Sequence, residues 1–240
     1  MTETIRRFGV LVPPANATVE DEFPLHLPRG VRFHTARLYR NSLALNLETL
    51  REMVKSTEAA AQRVAQVNPE VIVWACTSGS FLKGRGGDVE LADRIEKATG
   101  IPAITTSTAV VDALEAVNAN RVYLVTPYVE EINEREERFL TEHGFQVTHT
   151  ASFLYPSTDL IRDTGSDKVS ALVTAERDRA GAFDTVFISC TQLHSMDRIS
   201  FLEGVLEVPV ITSNSATLWA TLRHMDLDTR GLGGGRLFEQ

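Results

Sequence analysis

The sequence predicts an α/β fold made of two pseudo-symmetric, doubly wound parallel-sheet halves with an active site in the cleft between them. Three observations carry that prediction. Short apolar runs rich in β-branched residues alternate with longer helical patterns, as in a parallel sheet covered on both faces. Landmarks recur in order along the chain: RFGVLVP at 7–13 returns as RVYLVTP at 121–127, and VWACT at 73–77 returns as FISCT at 187–191. PAITTSTA at 102–109 returns as PVITSNSA at 209–216. The first two pairs are offset by 114 residues and the third by 107, the difference fitting a longer loop at Leu82 to Gly87. The third observation is that Cys76 and Cys190, the only cysteines, occupy the same place in that repeat.

Each element follows from its local pattern. Phe8 to Val12 is a strand, and Val31 to Leu38 alternates as a second. Leu47 to Val67 reads as one long amphipathic helix ended by Asn68-Pro69. Val71 to Ala75 is a buried strand. Asp88 to Ala98 is a helix after a glycine-rich loop, stopped by Gly100. Ala103 to Thr105 is a short strand before a helix over Thr108 to Val117. The second half repeats the scheme with strands at Val122 to Val125, Phe145 to Thr150, Thr185 to Ser189 and Val210–Ile211. Its helices are expected at Glu130 to His143, Ser166 to Ala180, Met196 to Leu206 and Ser215 to Met225. Residues 1–115 with 210–240 are expected to form the first half, and 116–209 the second.

Composition bounds the function. The chain has 240 residues, 43 % of them hydrophobic, enough for a sizeable core. Its net charge of −8 argues against a nucleic-acid footprint or an anionic-membrane patch. Two cysteines exclude a disulfide scaffold and a four-cysteine zinc module. The polar stretch Met1 to Arg7 carries no signal-peptide pattern, and no apolar run spans a bilayer, so a cytoplasmic protein is expected.

Ligands of α/β sheets bind beyond the carboxyl ends of the strands. Both cysteines stand there, as do the Pro13-Pro14-Ala15-Asn16 and Thr126-Pro127-Tyr128 turns. A pseudo-dyad would bring Cys76 and Cys190 to opposite sides of one cleft. Two thiols facing one carbon can take a proton from one face and deliver it to the other. Alternatively, one adds as nucleophile while the other acts as acid. Backbone N–H groups after each strand, with the hydroxyls of Thr77, Ser78 and Thr191, suit a carboxylate or an enediolate. The competing reading makes both cysteines small buried hydrophobes; their matched positions, each followed by Thr, favour chemistry.

These residues resemble the aspartate/glutamate racemase superfamily, in its arylmalonate decarboxylase and maleate cis–trans isomerase branch. The resemblance spans nearly the whole chain. It rests on Val12 to Asn16, Thr105 to Ala109, Val125 to Tyr128 with Asn133-Glu134-Arg135, Ser189-Cys190 and the closing Gly235 to Phe238. It implies a cofactor-independent enzyme for small carboxylic acids, with Cys76 as nucleophile or first acid/base and Cys190 as second proton carrier. It also implies that Asn16 and Tyr128 bind a carboxylate, with Pro14, Thr77, Ser78 and Thr191 assisting. The decarboxylases resemble this chain in Thr77-Ser78 but have Gly where Cys76 stands. The isomerases share Cys76 and Asn16 but follow the cysteine with apolar residues. The chain thus combines both patterns, and an isomerase or racemase is expected ahead of an arylmalonate-type decarboxylase or a non-catalytic binding protein.

Other candidates read more plainly. Asn16 has a second reading as cap of a short helix at Thr18 to Phe23, and Tyr128 as cap of its strand end. His194 is four residues after Cys190 but lacks a second ligand pair, so no metal is expected. Lys83 to Gly87 fits no nucleotide loop and reads as a flexible flap, and Gly231 to Gly235 as a tail turn. Leu38, Leu43 and Leu45 fall where a segment closes over a substrate or simply packs. The only partner expected is a small carboxylic acid, with no nucleic acid and no membrane; assembly into a homo-oligomer is left open.

Overall fold

The structure is a computed structural model describing residues 5–240; the start of the polar N-terminal stretch, 1–4, lies outside the described residues. The first half runs β1 (Arg6–Val12), α1 (Thr18–Glu22), β2 (Val31–Arg37), α2 (Leu47–Lys55), α3 (Thr57–Ala65), β3 (Ile72–Trp74) and α4 (Thr77–Ser80). It continues through α5 (Gly87–Thr99), β4 (Ala103–Thr105) and α6 (Thr106–Ala116). The second half runs β5 (Arg121–Thr126), α7 (Glu130–Glu142), β6 (Gln146–Ser152), α8 (Thr158–Arg162) and α9 (Ser166–Ala175). Then come β7 (Thr185–Ile188), a 3-10 turn at Met196–Arg198, α10 (Ile199–Leu206), β8 (Val210–Thr212), α11 (Ser213–His224) and a 3-10 turn at Gly235–Glu239.

The repeat is real in three dimensions. The strands form two four-stranded sheets, ordered β2-β1-β3-β4 and β6-β5-β7-β8, and every pairing within them is parallel. The orders match strand for strand, and β3 and β7, the strands preceding the two cysteines, are buried along their whole length. The matched PAITTSTA and PVITSNSA segments become matched caps. Thr105 Oγ1 accepts from Thr108 N at 3.2 Å at the start of α6, and Thr212 Oγ1 from Ser215 N at 3.0 Å at the start of α11. Each cap supplies a partner for an orphan N–H of the first helical turn.

Two expectations need correction. Residues 210–240 do not all group with the first half: Val210, Ile211 and Thr212 pair with Val186, Phe187 and Ile188, so β8 closes the second sheet. Helix α11 then crosses to pack on α6, where Thr106 and Thr217 hydroxyls meet at 3.0 Å. Its small and hydroxylated residues Ser213 to Thr217 are all buried and let the two helices approach closely. The long helix over 47–67 is two helices. Ser56 leaves the helical path, its Oγ donating to Met53 O at 2.7 Å and accepting from Tyr39 N at 2.8 Å, so it competes with the main-chain ladder. Among the described residues, no helix is long and apolar enough to cross a membrane.

Candidate active site

The two cysteines converge. Cys76 and Cys190 line one cavity with Pro13, Arg40, Leu45, Thr77, Ser78, Tyr128, Thr158, Ile161, Thr191 and Gln192 among its walls. Its volume is about 20 Å³, room for about one water. A larger hollow of about 420 Å³ lies between α2 and α5, but neither cysteine lines it. The small cavity is closed by the segment after β2, where Leu45 N donates to Pro156 O at 2.8 Å and Thr158 N to Leu43 O at 2.9 Å. Leu45 therefore covers the site, while Leu38 is buried and Leu43 faces outward.

Cys76 is the residue before α4, with extended backbone at φ −154°. Burial pushes its thiol pKa up; the Gly79 N–H, the Ser78 hydroxyl 3.8 Å from Sγ and the Arg40 charge pull the other way. Gly79 is required there, because a Cβ would stand 2.2 Å from the Trp74 ring. Cys190 has a different backbone, with φ at +100°, a strained value for a residue with a side chain. Burial pushes its pKa up to about 12; the Gln192 N–H and Tyr128 hydroxyl oppose this, while Cys76 and Glu136 reinforce it. Arg40 lies within electrostatic reach of both thiols, and the pair differs in its other neighbours: Ser78 and the Gly79 N–H oppose the rise at Cys76, while the Cys76 and Glu136 charges add to the rise at Cys190.

Side-chain bonds lock the two turns together. Ser213 Oγ accepts from Thr77 Oγ1 at 2.8 Å and from Cys190 N at 2.9 Å. Thr191 Oγ1 donates to Ala75 O at 3.0 Å and accepts from Asn16 Nδ2 at 3.0 Å. Buried Glu22 receives Ser195 N at 2.7 Å, Met196 N at 2.9 Å and Asn214 Nδ2 at 2.6 Å, fixing the loop after Cys190. Burial raises the Glu22 pKa against those bonds.

The sequence candidates divide by what their polar atoms already do. Cys76, Cys190, Thr77, Ser78, Tyr128 and Thr191 all line the cavity; Pro14 and Asn16 do not, and Pro13 lines it instead. Asn16 stands one residue before Ala17, the N-cap of α1; its Oδ1 accepts Val19 N of the first turn at 3.1 Å, and it reaches the site only through Thr191. The Thr77 and Thr191 hydroxyls are spent on protein partners, which leaves the Ser78 hydroxyl beside Cys76 as the freer donor. His194 lies 3.8 Å from Asp21, and among the described residues no cluster of His, Cys, Asp and Glu is arranged to hold a metal. The glycine-rich loop does not hang free: Lys83 pairs with Glu90 at 2.7 Å and Arg85 Nη1 reaches Glu142 O at 2.9 Å.

Several site residues escaped the sequence reading. Arg40 is 8 % exposed, donates to Thr158 Oγ1 and leaves its Nε without a partner. The nearby Glu52 already accepts Asn41 N at 3.0 Å. Arg40 as the one charged residue of the Leu38–Leu45 stretch was the available signal. Ser213 is the repeat counterpart of Thr106, so the 107-residue offset pointed to it.

Comparison with known proteins decides the family. The chain matches the arylmalonate decarboxylase family over residues 8–238. It belongs to that family. Maleate isomerase of Nocardia farcinica is 30 % identical over 246 residues, covering 98 % of this chain and 96 % of that protein. Arylmalonate decarboxylase of Bordetella bronchiseptica is 29 % identical over 97 % of this chain and 96 % of its own. The solved structure of a mutant Nocardia farcinica maleate cis–trans isomerase, with a covalently bound succinylcysteine intermediate, superposes with a TM-score of 0.89 at 25 % identity, over 98 % of both chains. The arylmalonate decarboxylase family thus joins enzymes of two reactions on one fold, and the fold and enzymatic character read from the sequence stand.

Proposed function

We propose that this chain is a cofactor-independent cis–trans isomerase of a small unsaturated diacid of the maleate type, working through Cys76 as nucleophile and Cys190 as acid/base. The observation that carries it is the convergence of the two thiols on one cavity with Arg40: at Cys76 the Gly79 N–H, Ser78 and Arg40 oppose the rise that burial imposes, while the Cys190 pKa is pushed up to about 12. The partnerless Nε of buried Arg40, whose nearby carboxylate Glu52 already accepts Asn41 N, supports a substrate with a second carboxylate, since a buried charge is costly until its hydrogen bonds are met. The maleate isomerases among its relatives, and the succinylcysteine seen in one, support the same chemistry.

Cys76 gives its proton to solvent while the cavity is open. The thiolate adds to one olefinic carbon; the C–S bond forms, and the π electrons move into the adjacent carboxylate as an enediolate. Ser78 and the backbone N–H groups after each strand receive that charge. Cys190 delivers its proton to the second carbon, giving a succinyl thioether free to rotate about its C–C single bond. Removal of that proton by Cys190 restores the enediolate; its collapse re-forms the double bond, trans, and breaks the C–S bond. The cavity of about 20 Å³ is too small for a four-carbon diacid, so the Leu43–Leu45 and Pro156–Thr158 contacts open on entry.

Loss of maleate absorbance with fumarate formation tests the reading. Cys76→Ala abolishes turnover, and Cys190→Ser accumulates an adduct on the Cys76 peptide visible by mass spectrometry. Carbon dioxide release from an arylmalonate, with no isomerisation, overturns it in favour of the decarboxylase.

A further inference from the structure

Behind Cys190 stands a carboxyl group that the reaction above does not use. Glu136, on α7, is 1 % exposed. Its Oε1 accepts from Ser189 Oγ at 2.5 Å, and its Oε2 has no partner. Ser189 Oγ also lies 3.4 Å from Tyr128 Oη, and Tyr128 lines the same small cavity as Cys190. A continuous line of groups therefore runs from a fully enclosed carboxyl to the reacting thiol. Helix α7 places Glu136 by packing Phe139 inward, while Phe81 fills the space between Tyr128 and Phe139 at ring distances of 6.4 and 6.2 Å.

We propose that Glu136 is a positioning residue whose protonation state, passed through Ser189 and Tyr128, sets whether Cys190 can part with its proton. This rests on reading Cys190 as a proton carrier. Ser189 has one hydroxyl proton and two neighbours. When Glu136 is a neutral acid, its O–H donates to Ser189, Ser189 donates to the Tyr128 oxygen, and the Tyr128 O–H is directed at Cys190 Sγ, where it stabilises a thiolate. When Glu136 is ionised, the Ser189 proton turns to the carboxylate. The Tyr128 oxygen loses its donor, and an uncompensated negative charge faces Cys190.

The surroundings favour the neutral form at neutral pH. Burial pushes the Glu136 pKa up to about 8; the Ser189 bond opposes this, and Glu137 reinforces it. On its own helix, Glu137 is turned to Thr150, and Arg135 lines an outer groove with Arg85 and Arg138. From the packed elements, Tyr128, Cys190 and, beyond it, Cys76 are the titratable groups, and each adds negative charge when ionised. Among the described residues Glu136 has no ion-pair partner. The consequence is unusual for a thiol enzyme: raising the pH past about 8 hinders ionisation of Cys190 instead of helping it.

The test reads thiol reactivity, so it does not depend on the substrate assignment. Cys190 is partly buried, and a small alkylating agent reaches it when the Leu43–Leu45 and Pro156–Thr158 contacts open. Its iodoacetamide alkylation is followed against pH by peptide mass spectrometry in Cys76→Ser and in Cys76→Ser/Glu136→Gln, whose amide N–H can donate to Ser189 as the neutral acid does and which cannot ionise. The half-point of the curve is expected to fall by about one pH unit in the Gln variant, about tenfold faster alkylation at a fixed pH. Superposed curves overturn the proposal, even if maleate is isomerised. Infrared spectroscopy gives an independent check: a carboxylic-acid C=O band present at about pH 6, lost by about pH 9 and absent from Glu136→Gln is expected. Absence of that band from the wild type at both pH values also overturns it. Failure to isomerise maleate with the alkylation shift intact removes the substrate assignment alone.

Discussion

The backbone N–H of Cys190 donates to Ser213 Oγ at 2.9 Å, and that same oxygen accepts the Thr77 hydroxyl at 2.8 Å. One buried hydroxyl at the start of α11 therefore ties the turn after β3 to the turn after β7 and fixes the spacing of the two thiols. Ser213→Ala leaves the Cys190 N–H and the Thr77 hydroxyl without that partner at a fully buried site. A stability loss of about 1–3 kcal/mol is expected. The catalytic loss should exceed what the lower folded fraction explains, because misplacing a thiol by about an ångström costs up to about 100-fold. Chemical denaturation beside kcat at a temperature where the variant is folded checks this. A destabilised variant with full kcat shows that Ser213 only holds the fold.

Arg40 is the buried cation of the cavity, and among the described residues its Nε has no hydrogen-bond partner. Arg40→Met should raise KM for maleate about 10- to 100-fold, the worth of one charge-assisted hydrogen bond. The uncharged analogue maleamate should lose much less. The contrast matters, because Arg40 also pulls the Cys76 pKa down. Equal losses for both substrates, with the pH profile displaced to higher pH, identify Arg40 as a counter-ion for the thiolate and not as a substrate anchor.

Much of this was legible from the chain because the repeat imposed it. Two identical strand orders require two apolar strand sets, and RFGVLVP and RVYLVTP announced them. The cysteines were legible for the same reason: β3 and β7 are equivalent, so their final turns are equivalent. What stayed hidden depended on long-range packing. The 107-residue offset did point to β8 beside β7, as β4 stands beside β3, and the expected grouping of 210–240 with the first half ran against it; no local pattern tells that α11 packs on α6. Glu136 stayed hidden because periodicity alone does not show which carboxylate of Glu134-Arg135-Glu136-Glu137 turns inward. The closing Gly235 to Phe238 motif is packing: Arg236 N donates to Glu203 at 3.0 Å, and Leu237 and Phe238 are wholly buried.

The backbone of Cys190 gives a prediction that separates strain from chemistry. Its φ of +100° is a conformation that glycine adopts freely and other residues resist. Cys190→Gly and Cys190→Ala both remove the thiol and should both be inactive. The glycine variant should be the more stable of the two by about 1 kcal/mol, because its native backbone is unstrained. Thermal denaturation of the pair is sufficient. Equal melting temperatures show that the turn carries no strain at that residue.

The last prediction concerns stability against pH. In the folded protein Glu136 titrates near 8, against 4.5 for an ordinary glutamate. Between those values the folded state keeps a proton that the unfolded chain has released, so the unfolded state binds fewer protons and stability falls as pH rises. The contribution of Glu136 is complete below about 4.5, declines by at most about 1.4 kcal/mol per pH unit across the window, and is gone above about 8. Buried Glu22 acts with the same sign, so the wild type alone does not isolate the effect. Glu136→Gln does, since the amide keeps the acceptor for Ser189 and cannot ionise. Urea denaturation at about pH 6 and about pH 9 should show the wild type losing more stability than the variant over that interval. Parallel losses in the two proteins mean that Glu136 is already ionised at neutral pH, and that the negative charge behind Cys190 is permanent.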